Sequence, residues 1–194
     1  MQSTIRETKA ALRSQVCAVV RSIPLADRVA ASAQARALLA EQERWKHARS
    51  VLLFAPMAEE VDIWPLLAEA LSAGKQVALP RFVARTRTYE VCQIHEPGAD
   101  IQIGHFGIRE PASHCPSLVS NHLDLILVPG VAFDLCGRRL GRGKGYYDHL
   151  LAALRGTTCA VAFDQQLVDA IPVEPHDVCL NCILTPTRWL ELNA

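Results

Sequence analysis

Glycines alternate with basic residues in one segment of the chain, and this pattern could bind an anion. Gly141, Gly143 and Gly145 are separated by Arg142 and Lys144. Because glycine adopts positive φ values at little cost, the backbone of this segment can approach a ligand closely. Its successive N–H groups would form a concave nest for a negatively charged group. We refer to residues 141–145 as the glycine loop and predict that it binds phosphate.

The sequence on either side of the glycine loop supports a phosphate site. Arg138 and Arg139 add two cations just before it. A strand is predicted at 123–128 and a helix at 146–154, so the loop would meet the positive end of a helix. The alternative is a mobile surface turn whose charges are solvated. The two standard nucleotide-binding fingerprints, G-x-x-x-x-G-K-[ST] and G-x-G-x-x-G, do not match this segment.

The overall charge argues against general binding of polyanions. The 194 residues include 20 Lys and Arg and 20 Asp and Glu, so the formal net charge is zero. No global basic field would hold nucleic acid or an anionic membrane surface, and anion recognition must therefore be local. We expect a small-molecule substrate, no nucleic-acid partner, no membrane partner and a monomer.

Length and cysteine content predict one domain in a reducing compartment. A chain of 194 residues suits a single domain over 1–194 with a sizeable core. Its seven cysteines are scattered and odd in number, which favours free thiols. The first residues lack the apolar segment of a secretory signal, and the apolar runs are too short to span a bilayer. We therefore expect a cytoplasmic protein.

The rest of the sequence predicts strands that alternate with helices. Apolar residues recur at helical spacing between 5 and 20, and further helices are expected at Leu25–Glu43, Pro65–Ala73 and Tyr146–Leu154. Strands are predicted at 50–55, 75–79, 89–94, 123–128, 159–163 and 182–184. Residues 95–122 are rich in His, Gly, Pro and Ser and are expected to be irregular. An irregular segment of this length is usually functional or mobile.

This alternation is typical of an α/β protein. We predict a mainly parallel, doubly wound, Rossmann-like sheet with helices on both faces. In such sheets ligands bind beyond the carboxyl ends of the strands. The glycine loop follows the most strand-like run of the chain, which is consistent with that location.

The segment around the glycine loop resembles the signature of the 5-formyltetrahydrofolate cyclo-ligase family. The matching runs are Pro129-Gly-Val-Ala-Phe-Asp134 and Gly137-Arg-Arg-Leu-Gly-Arg-Gly-Lys-Gly-Tyr-Tyr-Asp148. Shorter pieces agree in order and spacing over nearly the whole chain: Lys9–Arg13, Met57–Asp62, Gly107–Pro111, Gln166–Val168 and Ile171–Asp177. The resemblance implies an ATP- and Mg²⁺-dependent enzyme of one-carbon folate metabolism that converts 5-formyltetrahydrofolate to 5,10-methenyltetrahydrofolate.

The resemblance also implies which residues bind ATP. Lys9 and Arg13, on one face of the first helix, would bind the phosphates, so that this helix packs over the glycine loop. From the residues alone, the pair could instead be a solvated flank whose stems cover the core. The other implied ATP-binding residues are Arg139, Gly141, Arg142, Gly143, Lys144, Gly145, Tyr146 and Tyr147. Of these, Arg142 and Lys144 would be catalytic.

A folate site beside the glycine loop is implied as well. Glu60 would bind the pteridine, because a carboxylate accepts hydrogen bonds from its paired donor edge, and Ala55 would line the same pocket. The alternative for Glu60 is an acidic helix N-terminus. Arg109 could lie on a pterin face. The other implied substrate-binding residues are Arg142, Gly143, Lys144, Gly145 and Tyr146.

Two aspartates match metal-binding positions of the family. Asp148 and Asp177 would hold Mg²⁺, which proteins commonly bind through one or two carboxylates together with phosphate oxygens. Taken alone, each could be a cap or an ion-pair partner. Cys179 and Cys182, with His176 nearby, could suggest a zinc site or a redox pair, but a second ligand pair with suitable spacing is not evident. We interpret both cysteines as buried thiols.

The implied reaction needs ATP because the N5-formyl group is an amide and hence a poor electrophile. Phosphorylation of the formyl oxygen would create a leaving group, N10 would attack the carbon, and ADP and phosphate would be released. Positioned cations and a metal ion suit such phosphoryl transfer. Two alternatives stay open: another ATP-dependent small-molecule kinase or ligase, and a nucleotide- or folate-binding protein without catalysis.

Overall fold

A computed structural model of the chain describes residues 2–105, 107–118, 121–174 and 177–192, without the side chains of residues 2 and 3. The helices are α1 Gln2–Ser22, α2 Leu25–Glu41, α3 Glu43–His47, α4 Pro65–Ser72, α5 Pro97–Asp100 and α6 Tyr146–Ala153. The strands are β1 Ser50–Leu52, β2 Gln76–Val83, β3 Thr88–Ile94, β4 Ile101–Ile103, β5 Arg109–Pro111, β6 His122–Val128, β7 Ala132–Phe133, β8 Arg139–Leu140, β9 Arg155–Val161, β10 Cys182–Leu184 and β11 Trp189–Glu191.

Seven of the strands form one sheet in the order β11–β10–β9–β6–β1–β2–β3. Neighbouring strands from β10 to β2 run parallel. The two edge strands, β3 and β11, run antiparallel to their neighbours. The predicted α/β fold with a mainly parallel sheet is confirmed, and the antiparallel edges are an addition that the strand pattern did not indicate.

Side chains of the parallel strands alternate between two apolar layers. On β6, Leu125 and Leu127 belong to a layer that also contains residues of α1, α2, α3 and α4. Ile126 and Val128 belong to the opposite layer, which contains Leu150 and Leu151 of α6. Successive side chains of a strand point to opposite faces, so each face of the sheet is buried. Helices therefore cover both faces, as predicted.

Two local predictions are wrong. The second helix does not extend to Glu43: it ends at Glu41, because Gln42 adopts an extended conformation with φ −76° and ψ 134°, and α3 begins after it. Residues 95–122 are not wholly irregular, since they contain α5 and the antiparallel pair β4–β5. β4 and β5 have three residues each and contain no apolar run, so no strand pattern marks them.

Within the described residues, no helix is both long enough and apolar enough to cross a membrane.

Candidate active site

A cavity of about 450 Å³ lies beside the glycine loop. Two adjacent central strands, β1 and β6, lead to it, since their carboxyl ends continue into Phe54, Ala55, Pro129 and Gly130 in its wall. Gly141, Arg142, Lys144 and Gly145 of the glycine loop also line it, together with Tyr146, Tyr147 and Asp148 of α6. The cavity thus occupies the position at which α/β sheets bind ligands.

Two of the three glycines of the loop use conformations that other residues rarely adopt. Gly143 has a φ of 93° and Gly145 a φ of 70°. Gly145 immediately precedes α6, so the loop leads directly into the amino end of that helix. A helix amino end presents unpaired N–H groups and a partial positive charge. These features fit the predicted anion-binding loop.

Arg139 is a buried cation at the cavity wall. Its side chain is only 4% exposed and it forms an ion pair with Asp148. Its guanidinium carbon lies 5.8 Å from the centre of the Tyr147 ring. Within the described part of the chain, its buried Nε–H has no hydrogen-bond acceptor. A buried guanidinium N–H without an acceptor is costly, and an anionic ligand would relieve that cost.

Arg142 connects the glycine loop to the segment that follows β1. It donates a hydrogen bond to Glu60 over 3.2 Å and lies 3.9 Å from a carboxylate oxygen of Glu59. Glu60 also accepts a hydrogen bond of 2.9 Å from the backbone N–H of Met57. Burial raises the pKa of Glu60, although these two donors act in the opposite direction. Lys144 is exposed, and no ion pair involves it among the residues that the structure describes.

Helix α1 packs over the glycine loop, as predicted. The Arg13 guanidinium donates a hydrogen bond of 2.7 Å to the carbonyl of Gly141. Lys9 is buried and donates to Glu174 over 2.8 Å and to Asp177 over 2.9 Å. Burial disfavours the Lys9 charge, but the hydrogen bonds to these carboxylates outweigh it and raise the pKa of Lys9. Neither basic residue of α1 is among the described residues that line the cavity.

The two aspartates proposed as metal ligands have different surroundings. Asp148 lines the cavity and pairs with Arg139. Asp177 pairs with Lys9 and accepts the backbone N–H of Glu174 at 2.8 Å, and the described cavity wall does not include it. The preceding residues 175 and 176, which belong to the matched motif, lie outside the described residues.

Aromatic rings form one side of the cavity. Tyr89 of β3 lies 6.0 Å from the Tyr146 ring and 5.6 Å from the Tyr147 ring, measured between ring centres. Tyr146 lines the cavity and Tyr147 is more deeply placed, where burial raises its pKa strongly. Arg109 lies over the Trp64 ring at 4.6 Å and also borders the cavity. Its predicted contact with a pterin stays a prediction.

Sequence reasoning gave no site role to several residues of the cavity wall, and two of these, Tyr89 and Glu110, carry ionisable side chains. Glu110 belongs to one of the matched family segments, so the segment could have drawn attention to it. Nothing in the sequence around Tyr89 indicates that its strand pairs with β2 and brings it to α6.

The cysteines take no part in this cavity. Cys182 is buried, whereas Cys179 is exposed, so its interpretation as a buried thiol is wrong. In the described part of the chain, one set of potential metal ligands from three residues comes together, at Asp100, His114 and Cys115. Hydrogen bonds account for that set: Asp100 bonds to His114 over 2.9 Å and its carbonyl accepts from the Cys115 thiol over 3.4 Å.

Comparison with known proteins identifies what this architecture is similar to. The model of the 5-formyltetrahydrofolate cyclo-ligase family matches residues 5–186. The 5-formyltetrahydrofolate cyclo-ligase of Mycolicibacterium smegmatis is 35% identical over 94% of this chain and 96% of its own length. That of Escherichia coli is 31% identical over 74% of this chain and 81% of its own.

A solved structure agrees with these sequence matches. The 5,10-methenyltetrahydrofolate synthetase of Aquifex aeolicus superposes with a TM-score of 0.86 at 32% identity, covering 96% of this chain and 93% of that protein.

Proposed function

Because this chain belongs to the 5-formyltetrahydrofolate cyclo-ligase family, we propose that it binds ATP and 5-formyltetrahydrofolate together in the cavity beside the glycine loop and converts the folate to 5,10-methenyltetrahydrofolate. One observation carries the proposal. All residues of the glycine loop except Gly143 line a single cavity together with Glu60, so the groups expected at the phosphate and pterin ends share one site, and the hydrogen bond from Arg142 to Glu60 joins them.

The reaction consists of two displacements. The formyl oxygen attacks the terminal phosphorus of ATP, and ADP leaves. N10 then attacks the activated formyl carbon and loses its proton, and phosphate leaves with the former formyl oxygen. The product is the cyclic methenyl cation, and the released groups are ADP and inorganic phosphate.

The residues of the loop would act mainly through charge and position. Phosphoryl transfer requires alignment and neutralisation of developing charge more than a nucleophilic side chain. Lys144 and Arg142 would neutralise the transferred phosphoryl group, and the Arg139 Nε–H would donate to a phosphate oxygen. Arg13 would hold the loop in shape through its bond to Gly141.

A Mg²⁺ ion fits this site through Asp148, whose carboxylate lies in the cavity wall next to the loop that would hold the phosphates. Mg²⁺ binds readily through one carboxylate plus phosphate oxygens and water. When bound, it would supply neutralisation of the phosphate charge. Asp177 pairs with Lys9 and is not among the described residues of the cavity wall. Asp148 is therefore the better-placed ligand.

The test is to mix the protein with ATP, Mg²⁺ and 5-formyltetrahydrofolate and to record the near-ultraviolet absorbance of the methenyl product. Product should form only when ATP is present, with one ADP and one phosphate per product. A stable phosphorylated product without the methenyl absorbance would instead show a small-molecule kinase. Binding of both ligands without turnover would show a non-catalytic binding protein.

A further inference from the structure

The cavity contains a second buried carboxylate whose role the proposed reaction does not explain. Glu110 of β5 is 5% exposed and lines the cavity wall. Its carboxylate accepts hydrogen bonds from the backbone N–H groups of Phe82 and His105. Across the described residues, no ion pair involves Glu110. Burial raises the pKa of Glu110, although the two backbone N–H groups and the nearby charges of His105 and Arg81 act in the opposite direction. A buried carboxylate without an ion pair is costly, so its presence in the cavity wall calls for a further explanation.

Glu110 holds the backbone of its neighbours in place, but this role does not require an ionised carboxylate. Glu110 packs closely against Gly104, where an added Cβ would overlap the carboxylate, and its two backbone bonds hold the turn after β4 against β2. A neutral glutamine could accept from the same backbone. An ionised carboxylate has about four acceptor positions, so two remain after the backbone N–H groups are satisfied.

The position of Glu110 suits the folate end of the cavity rather than the phosphate end. The loop cations pair with other carboxylates, Arg139 with Asp148 and Arg142 with Glu60. Glu110 instead lies near Tyr89, whose pKa is raised to about 12 first by burial and next by the Glu110 charge. A negative charge in an aromatic wall would repel phosphate, and it would favour an N–H donor on a flat ring.

The reduced pterin ring offers donors along two edges. The N3–H and one amino hydrogen form the edge that a single carboxylate, Glu60, would accept. The other amino hydrogen and N8–H lie along the next edge. In an oxidised pteridine, N8 has a lone pair instead of a hydrogen, so an acceptor facing N8 would distinguish the two oxidation states.

We propose that Glu110 is a substrate-binding residue that accepts the N8–H of the reduced pterin ring, and that it selects reduced folates over oxidised ones. The proposal rests on the proposed function, because it places the pterin in the cavity between Glu60 and Glu110. It adds a second recognition point, which determines the redox state of the ring that is accepted.

The experiment compares two inhibitors that differ by one hydrogenated bond. 7,8-Dihydrofolate has an N8–H, and folic acid has a lone pair at N8. Inhibition constants for both are measured against 5-formyltetrahydrofolate with the wild-type protein, Glu110→Gln and the control Glu96→Gln, which changes an exposed glutamate of the same segment. We expect wild type and the control to favour dihydrofolate about tenfold or more.

In Glu110→Gln this preference should fall to near unity or invert, because the glutamine amide can donate to the N8 lone pair. The affinity of Glu110→Gln for ADP should stay within about twofold of wild type, whereas a loss of fold would weaken the binding of ADP and of the folates alike. A folded Glu110→Gln that keeps the wild-type preference overturns the proposal. A wild-type protein that does not favour dihydrofolate also overturns the proposal. This second outcome needs no variant, so the proposal can be tested even if Glu110→Gln does not fold. Absence of methenyl formation by wild type would instead refute the proposed function itself.

Discussion

Lys144 is exposed at the cavity wall, so its removal should change turnover and leave the fold intact. We expect Lys144→Ala to lower kcat by about 100-fold, because a positioned cation is lost where charge develops. The melting temperature should stay within about 1 °C, since the side chain is exposed. Steady-state kinetics and thermal unfolding measure the two effects.

The matched control for this variant is Lys46→Ala. Lys46 is an exposed lysine of α3, and it pairs with its neighbour Glu43. It lies far along the chain from the glycine loop. Its replacement should leave kcat unchanged. Wild-type turnover in Lys144→Ala would contradict a role for this residue in phosphoryl transfer.

At the scale of residues, the sequence indicated the location of the site where several signals were adjacent in the chain. The glycine loop combines glycines, cations and a following helix within a short stretch, and the structure places this loop at a cavity. Its binding of phosphate stays a prediction. Glu110 and Tyr89 could not be found in this way. Glu110 acts with the backbone of Phe82, and Tyr89 with α6, so their surroundings exist only after distant segments have packed.

The glycine loop as an element depends on a backbone shape that only glycine adopts without strain. Gly143 has a φ of 93°, and an added Cβ would meet Arg13 only at an ordinary distance of 3.6 Å. Gly143→Ala should therefore lose about 1 kcal/mol of unfolding free energy through backbone strain. It should also raise the KM for ATP about tenfold or more, because the loop amides would no longer face the phosphates together.

Gly74→Ala provides the control for backbone strain. Gly74 follows α4, has a φ of 73°, and has open space where a Cβ would be placed. Its replacement should cost a similar free energy of unfolding and leave the KM for ATP unchanged. If both variants change that KM equally, strain alone explains the effect and the loop does not contact phosphate.

The β4–β5 segment is held by a hydrogen-bonded aspartate at its base. Asp100 accepts hydrogen bonds from the backbone N–H groups of Glu96 and His95, and it pairs with His114. These contacts lower the pKa of Asp100 to about 2, and the bond from Glu96 contributes most. A carboxyl with a lowered folded pKa stabilises the fold above its unfolded pKa of about 3.9. That contribution is lost as the pH falls towards 2.

We therefore expect Asp100→Asn to lose about 1–2 kcal/mol of unfolding free energy at pH 7 and much less near pH 2.5. Denaturant unfolding at a series of pH values measures this difference. Asp169→Asn, which changes an exposed aspartate, should show no such dependence. An equal loss for Asp100→Asn at both pH values would mean that its charge does not stabilise the segment.

At the scale of elements, pattern predicted the strands that contain apolar runs, including the three-residue strands β1 and β10, and missed β4, β5, β7, β8 and β11. Strand β6 ends in the apolar run 125–128, which indicates burial on both faces. The pairing of β2 with β3 is antiparallel and was not indicated, because both strands carry similar apolar patterns whichever way they run. Strand β11 has no buried residue and so had no pattern to detect.

In the whole molecule, the site exists because two central strands end side by side. Residues 54–55 continue from β1, and residues 129–130 continue from β6. Further segments meet there, among them the glycine loop, α6, β3 and β5. Sequence order predicts that the first of these lies at the carboxyl edge of the sheet. β3 and β5 reach the cavity because β3 pairs antiparallel to β2 at the edge of the sheet. The sequence alone did not indicate this pairing.

The pairing of β6 with β9 beside this site depends on a glycine that has no room for a side chain. Gly156 has a φ of 141°, and an added Cβ would overlap the carbonyl of Leu123. The register of the two strands shifts at the same place, between His122 and Leu125. Backbone cannot move aside as a flexible side chain would, so Gly156→Ala should separate the strands locally.

We expect Gly156→Ala to lower the unfolding free energy by about 3 kcal/mol and the melting temperature by about 6–12 °C. Gly98→Ala, at a position with open space and no positive φ, should change neither. Because the strand pairing lies at the amino end of β6 and the cavity at its carboxyl end, the folded fraction of Gly156→Ala should keep wild-type KM values at low temperature. An unchanged melting temperature would show that β6 and β9 can shift apart at no cost, and the central sheet would then not be the rigid support on which the site depends.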